Sequence, residues 1–131
     1  MAIKGTFTVS REVTFSAAHA VRGHRGGCEN LHGHNWRARV TVAANELDAL
    51  SMVIDFKVLK QALNEIVEAL DHRFLNDVAP FDALNPTSEN MAAYIFEQCS
   101  QKLDDQRVRV RRVEVWESDR NKASFEANEA S

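Results

Sequence analysis

The sequence predicts an α+β fold built on an antiparallel sheet. Three observations carry that reading. Two cleanly alternating stretches stand in the first third of the 131-residue chain, two apolar stripes at helical spacing fill its middle, and alternation returns near its end. The order is strand, strand, helix, helix, strand, with a short last strand after it.

Residues 7–15, FTVSREVTF, put Phe7, Val9, Val13 and Phe15 on one parity and Thr8, Ser10, Glu12 and Thr14 on the other, the pattern of a half-buried strand. Arg11 is an anomaly on the apolar parity. The Gly-rich VRGHRGGC has no period and reads as a loop. HNWRARVTVA alternates again, with Trp36, Ala38, Val40 and Val42 against Arg37, Arg39 and Thr41. Asp55 is positioned to cap a helix from Phe56 to about Leu70, with Phe56, Leu59, Leu63, Ile66, Val67 and Leu70 as its stripe. Thr87 or Ser88 caps a second helix, which starts near NPTSEN and runs to about Leu103. Its stripe includes Ala92, Ile95, Phe96, Cys99 and Leu103, so Cys99 is expected to be a small buried residue without chemistry. In RVRVRRVEVWES, Val108 and Val110 share one parity while Val113 and Val115 share the other, which requires a bulge near Arg111 and Arg112. SFEA is a short fourth strand, and the last few residues are expected to be loose.

A chain of 131 residues, 44% hydrophobic and 27% charged, fits one globular domain over 1–131. Its formal net charge of −3 gives no global attraction to nucleic acid or to an anionic membrane. Arg107, Arg109, Arg111 and Arg112 alternate with valines, as a solvated face does above a buried one, and lack the interleaved aromatics of a nucleic-acid surface. No apolar run approaches the roughly 18 residues that span a bilayer. MAIKGTFTVS lacks the apolar core of a signal peptide, so a cytoplasmic location is expected. Two cysteines, Cys28 and Cys99, do not make a disulfide framework.

His32 and His34 are two apart, so a strand turns both imidazoles to one face, that of Trp36 and Val40. Gly33 between them leaves room for close approach. Two such imidazoles can share a metal, but zinc needs at least three protein ligands. His19 continues the parity of Phe15 and Ala17 and is the natural third. Three neutral nitrogens leave a fourth position open for water or substrate, the pattern of a catalytic zinc. The competing reading is a set of surface histidines.

Cys28, four residues before His32, is either a fourth ligand or a thiolate whose lowered pKa makes it a base or nucleophile. Glu29 is a partner for a ligating imidazole or a solvated loop charge. Asp71 next to His72 can orient that ring and raise its basicity, although a histidine at a helix C-terminus also interacts favourably with the dipole. Glu117 sits on the apolar parity of Val113 and Val115, either exposed at the strand end or placed for a ligand rich in N–H donors. His24 reads as a loop residue. Its neighbours Arg22 and Arg25 meet an anionic substrate or are surface charge.

FSAAH, CENLHGHNW, VIDF, LDHRFLND, NPTSEN and VEVWES follow one another over residues 15–118. In that order they closely resemble the 6-pyruvoyltetrahydropterin synthase and 6-carboxytetrahydropterin synthase family. The resemblance implies the tunnelling fold, with two long antiparallel hairpins and a helix pair on one face. In that family three subunits close a twelve-stranded barrel and two trimers stack as a homohexamer, with active sites between subunits. It implies Zn2+ on His19, His32 and His34, Cys28 as the proton-abstracting thiol, and Asp71 with His72 as a proton relay. Glu117 resembles the catalytic-site carboxylate that anchors the pterin's guanidine-like edge, and Thr87 and Ser88 fall where the family lines the pterin pocket.

The implied substrate is 7,8-dihydroneopterin triphosphate. One branch of the family retains the three-carbon side chain and makes 6-pyruvoyltetrahydropterin. Another cleaves it to 6-carboxytetrahydropterin and acetaldehyde on the route to queuosine. The C-x3-H-G-H spacing here is that of the compact carboxy-forming bacterial enzymes. A further subgroup carries E-x2-H-G-H and makes a folate precursor, and Glu29 meets that spacing as well. The rival reading is a pterin- or zinc-binding module without turnover. Nothing in the sequence supports direct binding of tRNA.

Overall fold

A computed structural model describes residues 3–23 and 31–128. The expected elements form in the expected order, with one addition. Strands β1 (Phe7–His19) and β2 (His32–Ala44) are followed by helix α1 (Phe56–Glu68), a two-residue strand β3 (Arg73–Phe74), helix α2 (Ser88–Leu103), and strands β4 (Val108–Ser118) and β5 (Asn121–Phe125). A single 3-10 turn, Leu75–Asp77, follows β3. The fold is α+β.

The sheet order is β3-β1-β2-β4-β5, and every pairing is antiparallel except that of β3 with β1. The sheet is open, with β3 and β5 at its edges. In the β1–β2 hairpin Phe15 faces Trp36, Ala17 faces His34 and His19 faces His32. Strand β1 therefore continues past its clean alternation as far as His19.

Both helices start where their caps predict. The Asp55 carboxylate accepts from Lys57 N at 2.8 Å, and the Thr87 hydroxyl accepts from Asn90 N at 3.1 Å. Helix α1 ends at Glu68 rather than Leu70, and Leu70 is nonetheless fully buried just beyond it. The bulge in β4 is present: Val42 pairs with Val110 and Thr41 with Arg112, which leaves Arg111 as the extra residue. The last strand begins three residues before SFEA, because Asn121–Phe125 folds straight back on Val113–Ser118.

The core lies on one face of the sheet. Phe15, Ala17, Trp36, Ala38, Val40, Val113 and Val115 meet Leu59, Leu63 and Ile66 of α1 and Met91, Ile95 and Cys99 of α2 there. The opposite face is polar and charged, yet parts of it are shielded. Arg37 and Arg39 lie over the ring of Trp116 at 4.1 and 5.0 Å from its centroid. Glu114 beneath them is only 4% exposed.

Candidate functional site

Three strand ends meet on the helix-bearing face. β1 delivers His19, β2 delivers His32 and His34, and β4 delivers Glu117. The period of two places the imidazoles together: ring centroids are 4.5 Å apart for His19–His32, 4.6 Å for His32–His34 and 5.2 Å for His19–His34. Trp36, one step deeper on β2, packs edge-on beneath His19 and His34. Glu117 completes the group because Arg111 is looped out upstream, which returns residues 113, 115 and 117 to the inward face. Its Oε1 lies 2.8 Å from Nε2 of His34, 3.1 Å from that of His19 and 3.7 Å from that of His32.

The protonation pattern leaves this group short of a positive charge. His19 Nδ1 is 2.7 Å from the Pro86 carbonyl, which can only accept, so Nδ1 carries the hydrogen. The Nε2 lone pair then points at Glu117 Oε1, another acceptor, and a proton or a cation must stand between them. His34 Nε2 is buried and has no hydrogen-bond partner, since its approach to Glu117 lacks hydrogen-bond geometry. Burial pushes His34 below its ordinary pKa, and proximity to His19 and His32 adds to that, while Glu117 opposes it. The neutral imidazole, which is the metal-binding form, is favoured.

The donor set and spacing fit a divalent metal. Four ligand atoms at about 2.0–2.2 Å around a tetrahedral zinc stand about 3.3 Å from each other. The three N···O distances of 2.8, 3.1 and 3.7 Å bracket that value. All four candidate ligand atoms lie within 4.8 Å of one another, so this group can hold a metal ion.

Asp71 and His72 form a second group at the edge of β1. Ser16 N donates to Asp71 Oδ1 at 2.9 Å, and His72 N donates to Ser16 O at 2.6 Å. His72 Nδ1 is 3.0 Å from Asp71 Oδ1. The N–H of Ser16, and secondarily His72, hold the Asp71 carboxyl below its ordinary pKa. His72 has a φ of 58°, the left-handed region that non-glycine residues rarely adopt, and its side chain is 80% exposed. An open groove of about 520 Å³, lined by Ser16, Gly33, His34, Asn35, His72 and Phe74, links this edge to the imidazole cluster. Among the described residues, no hydrogen bond or ion pair joins His72 to the cluster.

Thr87 and Ser88 start α2, and the Thr87 hydroxyl is engaged as the helix cap. Their neighbour Pro86 reaches the cluster through its carbonyl. Cys28, with His24, Arg25 and Glu29, lies outside the described residues. Arg22 is neither free surface charge nor open to an anion. Its guanidinium donates to the carbonyls of Asn76, Phe81 and Leu84 at 2.8–3.2 Å and ties down the 76–85 segment.

Two contributors escape a sequence reading. The Pro86 carbonyl has no side-chain signature. Asn76 donates to Ala20 O and accepts from Ala20 N, and Asn85 does the same for Arg22. LDHRFLND and NPTSEN thus brace the chain leaving β1, and the asparagines within those motifs were the only available signal.

A family model described as 6-pyruvoyl tetrahydropterin synthase matches residues 8–128. The 6-carboxy-5,6,7,8-tetrahydropterin synthase of Synechocystis sp. is 44% identical over 93 residues, covering 67% of this chain and 70% of that protein. The dihydroneopterin monophosphate aldolase of Pyrococcus furiosus is 36% identical over 104 residues, covering 79% and 83%. Among solved structures, Caenorhabditis elegans 6-pyruvoyl tetrahydropterin synthase superposes with a TM-score of 0.85 at 29% identity, over 98% of this chain and 100% of that one. The open sheet with its helix pair is thus the tunnelling fold.

Proposed function

The chain belongs to the 6-pyruvoyl tetrahydropterin synthase family, and from that premise we propose that it is a zinc-dependent 6-carboxy-5,6,7,8-tetrahydropterin synthase. It converts 7,8-dihydroneopterin triphosphate to 6-carboxytetrahydropterin, acetaldehyde and triphosphate for queuosine biosynthesis. The observation that carries the reading is the convergence of His19, His32 and His34 with Glu117 at the mouth of the groove. The 44% identity to a protein of that name supports the choice of branch.

Zinc suits three imidazole nitrogens with a carboxylate nearby, and when bound it supplies Lewis acidity to a substrate hydroxyl. His19, His32 and His34 are its ligands, and the Pro86 carbonyl sets the tautomer of His19. Glu117 accepts from the paired N–H donors of the pterin edge and fixes the ring's orientation. Cys28 removes the side-chain proton as a thiolate. His72, aligned by Asp71, returns protons from the groove wall. Thr87 and Ser88 line the ring's pocket.

Residues 1–131 act as one domain, in the cytoplasm, within a homohexamer whose active sites lie between subunits. The exposed position of His72 at a sheet edge supports that arrangement, since a partner chain would close the groove over it. No helix among the described residues is long and apolar enough to cross a membrane.

The 36% identity to a dihydroneopterin monophosphate aldolase favours one sister reading, in which the same site releases a hydroxymethyl pterin. The deciding experiment incubates the zinc-loaded protein with 7,8-dihydroneopterin triphosphate and identifies the pterin and the aldehyde by mass spectrometry. Acetaldehyde with 6-carboxytetrahydropterin is expected, and Cys28→Ala should abolish both. A pyruvoyl or hydroxymethyl pterin would assign the chain to a sister branch. Absence of turnover by zinc-loaded protein would leave a binding module.

A further inference from the structure

Glu117 has two occupations that cannot coincide. As a pterin anchor it must offer one oxygen to each of two parallel N–H donors. In the structure its Oε1 is instead turned in among three imidazole nitrogens at 2.8–3.7 Å, where a fourth metal ligand belongs. We propose that Glu117 is a displaceable fourth ligand: at rest its carboxylate completes the metal site of His19, His32 and His34, and an arriving pterin edge draws it away. The site therefore opens for the substrate's hydroxyls only when the ring is in place. The identity of the displacing molecule rests on the proposed function; the ligand role does not.

The four side chains are unequal in a way that suits this exchange. The His19 side chain is 2% exposed and held by the Pro86 carbonyl and the Trp36 ring, so it cannot swing. The Glu117 side chain is 31% exposed at the open end of β4, and among the described residues nothing donates to its Oε2. A carboxylate with one oxygen in the cluster, the other unheld, and solvent beside it has both the freedom and the spare acceptor that a hand-over requires. The backbone need not move, because rotation about side-chain bonds suffices to turn a Glu head group out of the cluster.

The test separates the ligand role from the pterin. Zinc-loaded wild-type protein, Glu117→Gln and Glu117→Ala are titrated with a chromophoric chelator without pterin, and far-UV circular dichroism checks the fold of each. The near-isosteric Gln variant guards against a result due to collapse of the site. Both variants are expected to bind zinc about tenfold more weakly or worse. In the Co2+-loaded protein, both should also alter the intense visible band of a four-coordinate site, which a purely electrostatic role would leave in place. Adding 7,8-dihydroneopterin to Co2+-loaded wild type should shift that band toward the variants' spectrum.

Zinc affinity within about twofold of wild type, which is under half a kcal/mol, with an unchanged cobalt band would overturn the ligand role. Pterin that binds by calorimetry but leaves the wild-type band untouched would overturn the displacement. Failure of the pterin to bind at all would count against the proposed function, while the zinc titration would still decide the ligand role.

Discussion

Glu114 places a carboxylate beneath the charged face of the sheet, 4% exposed, with Lys122 Nζ at 2.6 Å, Arg39 at 3.4 Å and Arg112 at 3.5 Å. Burial pushes its pKa up, but the three cations together outweigh that and hold it below the ordinary 4.5. A depressed folded-state value means that Glu114 contributes stability above pH 4.5 and loses it as pH falls through the lower folded value. Glu114→Gln should cost about 3 kcal/mol at neutral pH, because it strands the cations, and the gap to wild type should close in acid. Urea unfolding of both proteins at neutral and acidic pH measures this. Cys99 poses the opposite case, a thiol without a job, pushed by burial up to about 12. A Cys28→Ala protein should therefore show no thiol reacting with a disulfide reagent until it is unfolded. At this scale the imidazole trio was legible, since a period of two on paired strands leaves little choice of face. The Pro86 carbonyl was not, because every residue has one, and only the path of the chain decides which of them meets His19.

Strand β1 does not end its pairing at His19. Beyond it, the side chains of Asn76 and Asn85 bond both backbone groups of Ala20 and of Arg22, so two amides stand in for a neighbouring strand. Asn76→Ala removes two partly buried hydrogen bonds and should destabilise by about 2 kcal/mol, read as a lower denaturant midpoint at unchanged slope. Caps, stripes and the β4 bulge were legible because each is a local pattern: a carboxylate or hydroxyl before a stripe, or a parity that breaks between Val110 and Val113. Strand β3 was not. Two residues have no period, and they pair with Ala17 and Ala18 because the hydrogen bonds of Asp71 and His72 to Ser16 pin the chain there. The early start of β5 has the same kind of cause, a register imposed by β4 rather than by NKASF itself.

The whole molecule presents one covered face and one bare face. Helices α1 and α2 lie on a single side of an open five-stranded sheet, and no element of the described chain covers Arg37, Arg39 and Trp116 on the other. The proposed hexamer accounts for this, because closure of three sheets into a barrel would turn the bare face inward and pair the free edges. Sedimentation should give six times the chain's 14.8 kDa, and a monomeric mass would remove the inter-subunit site from the proposal. The bulge at Arg111 has a consequence for how such a molecule tolerates change. It works as an expansion joint between the half of β4 that fills the core and the half that carries Glu117. Removing Arg111 would close the joint and leave residues 113, 115 and 117 facing as they do now. A one-residue length error upstream can thus be absorbed there, so the metal-facing end of the strand is insulated from wear in the rest of it.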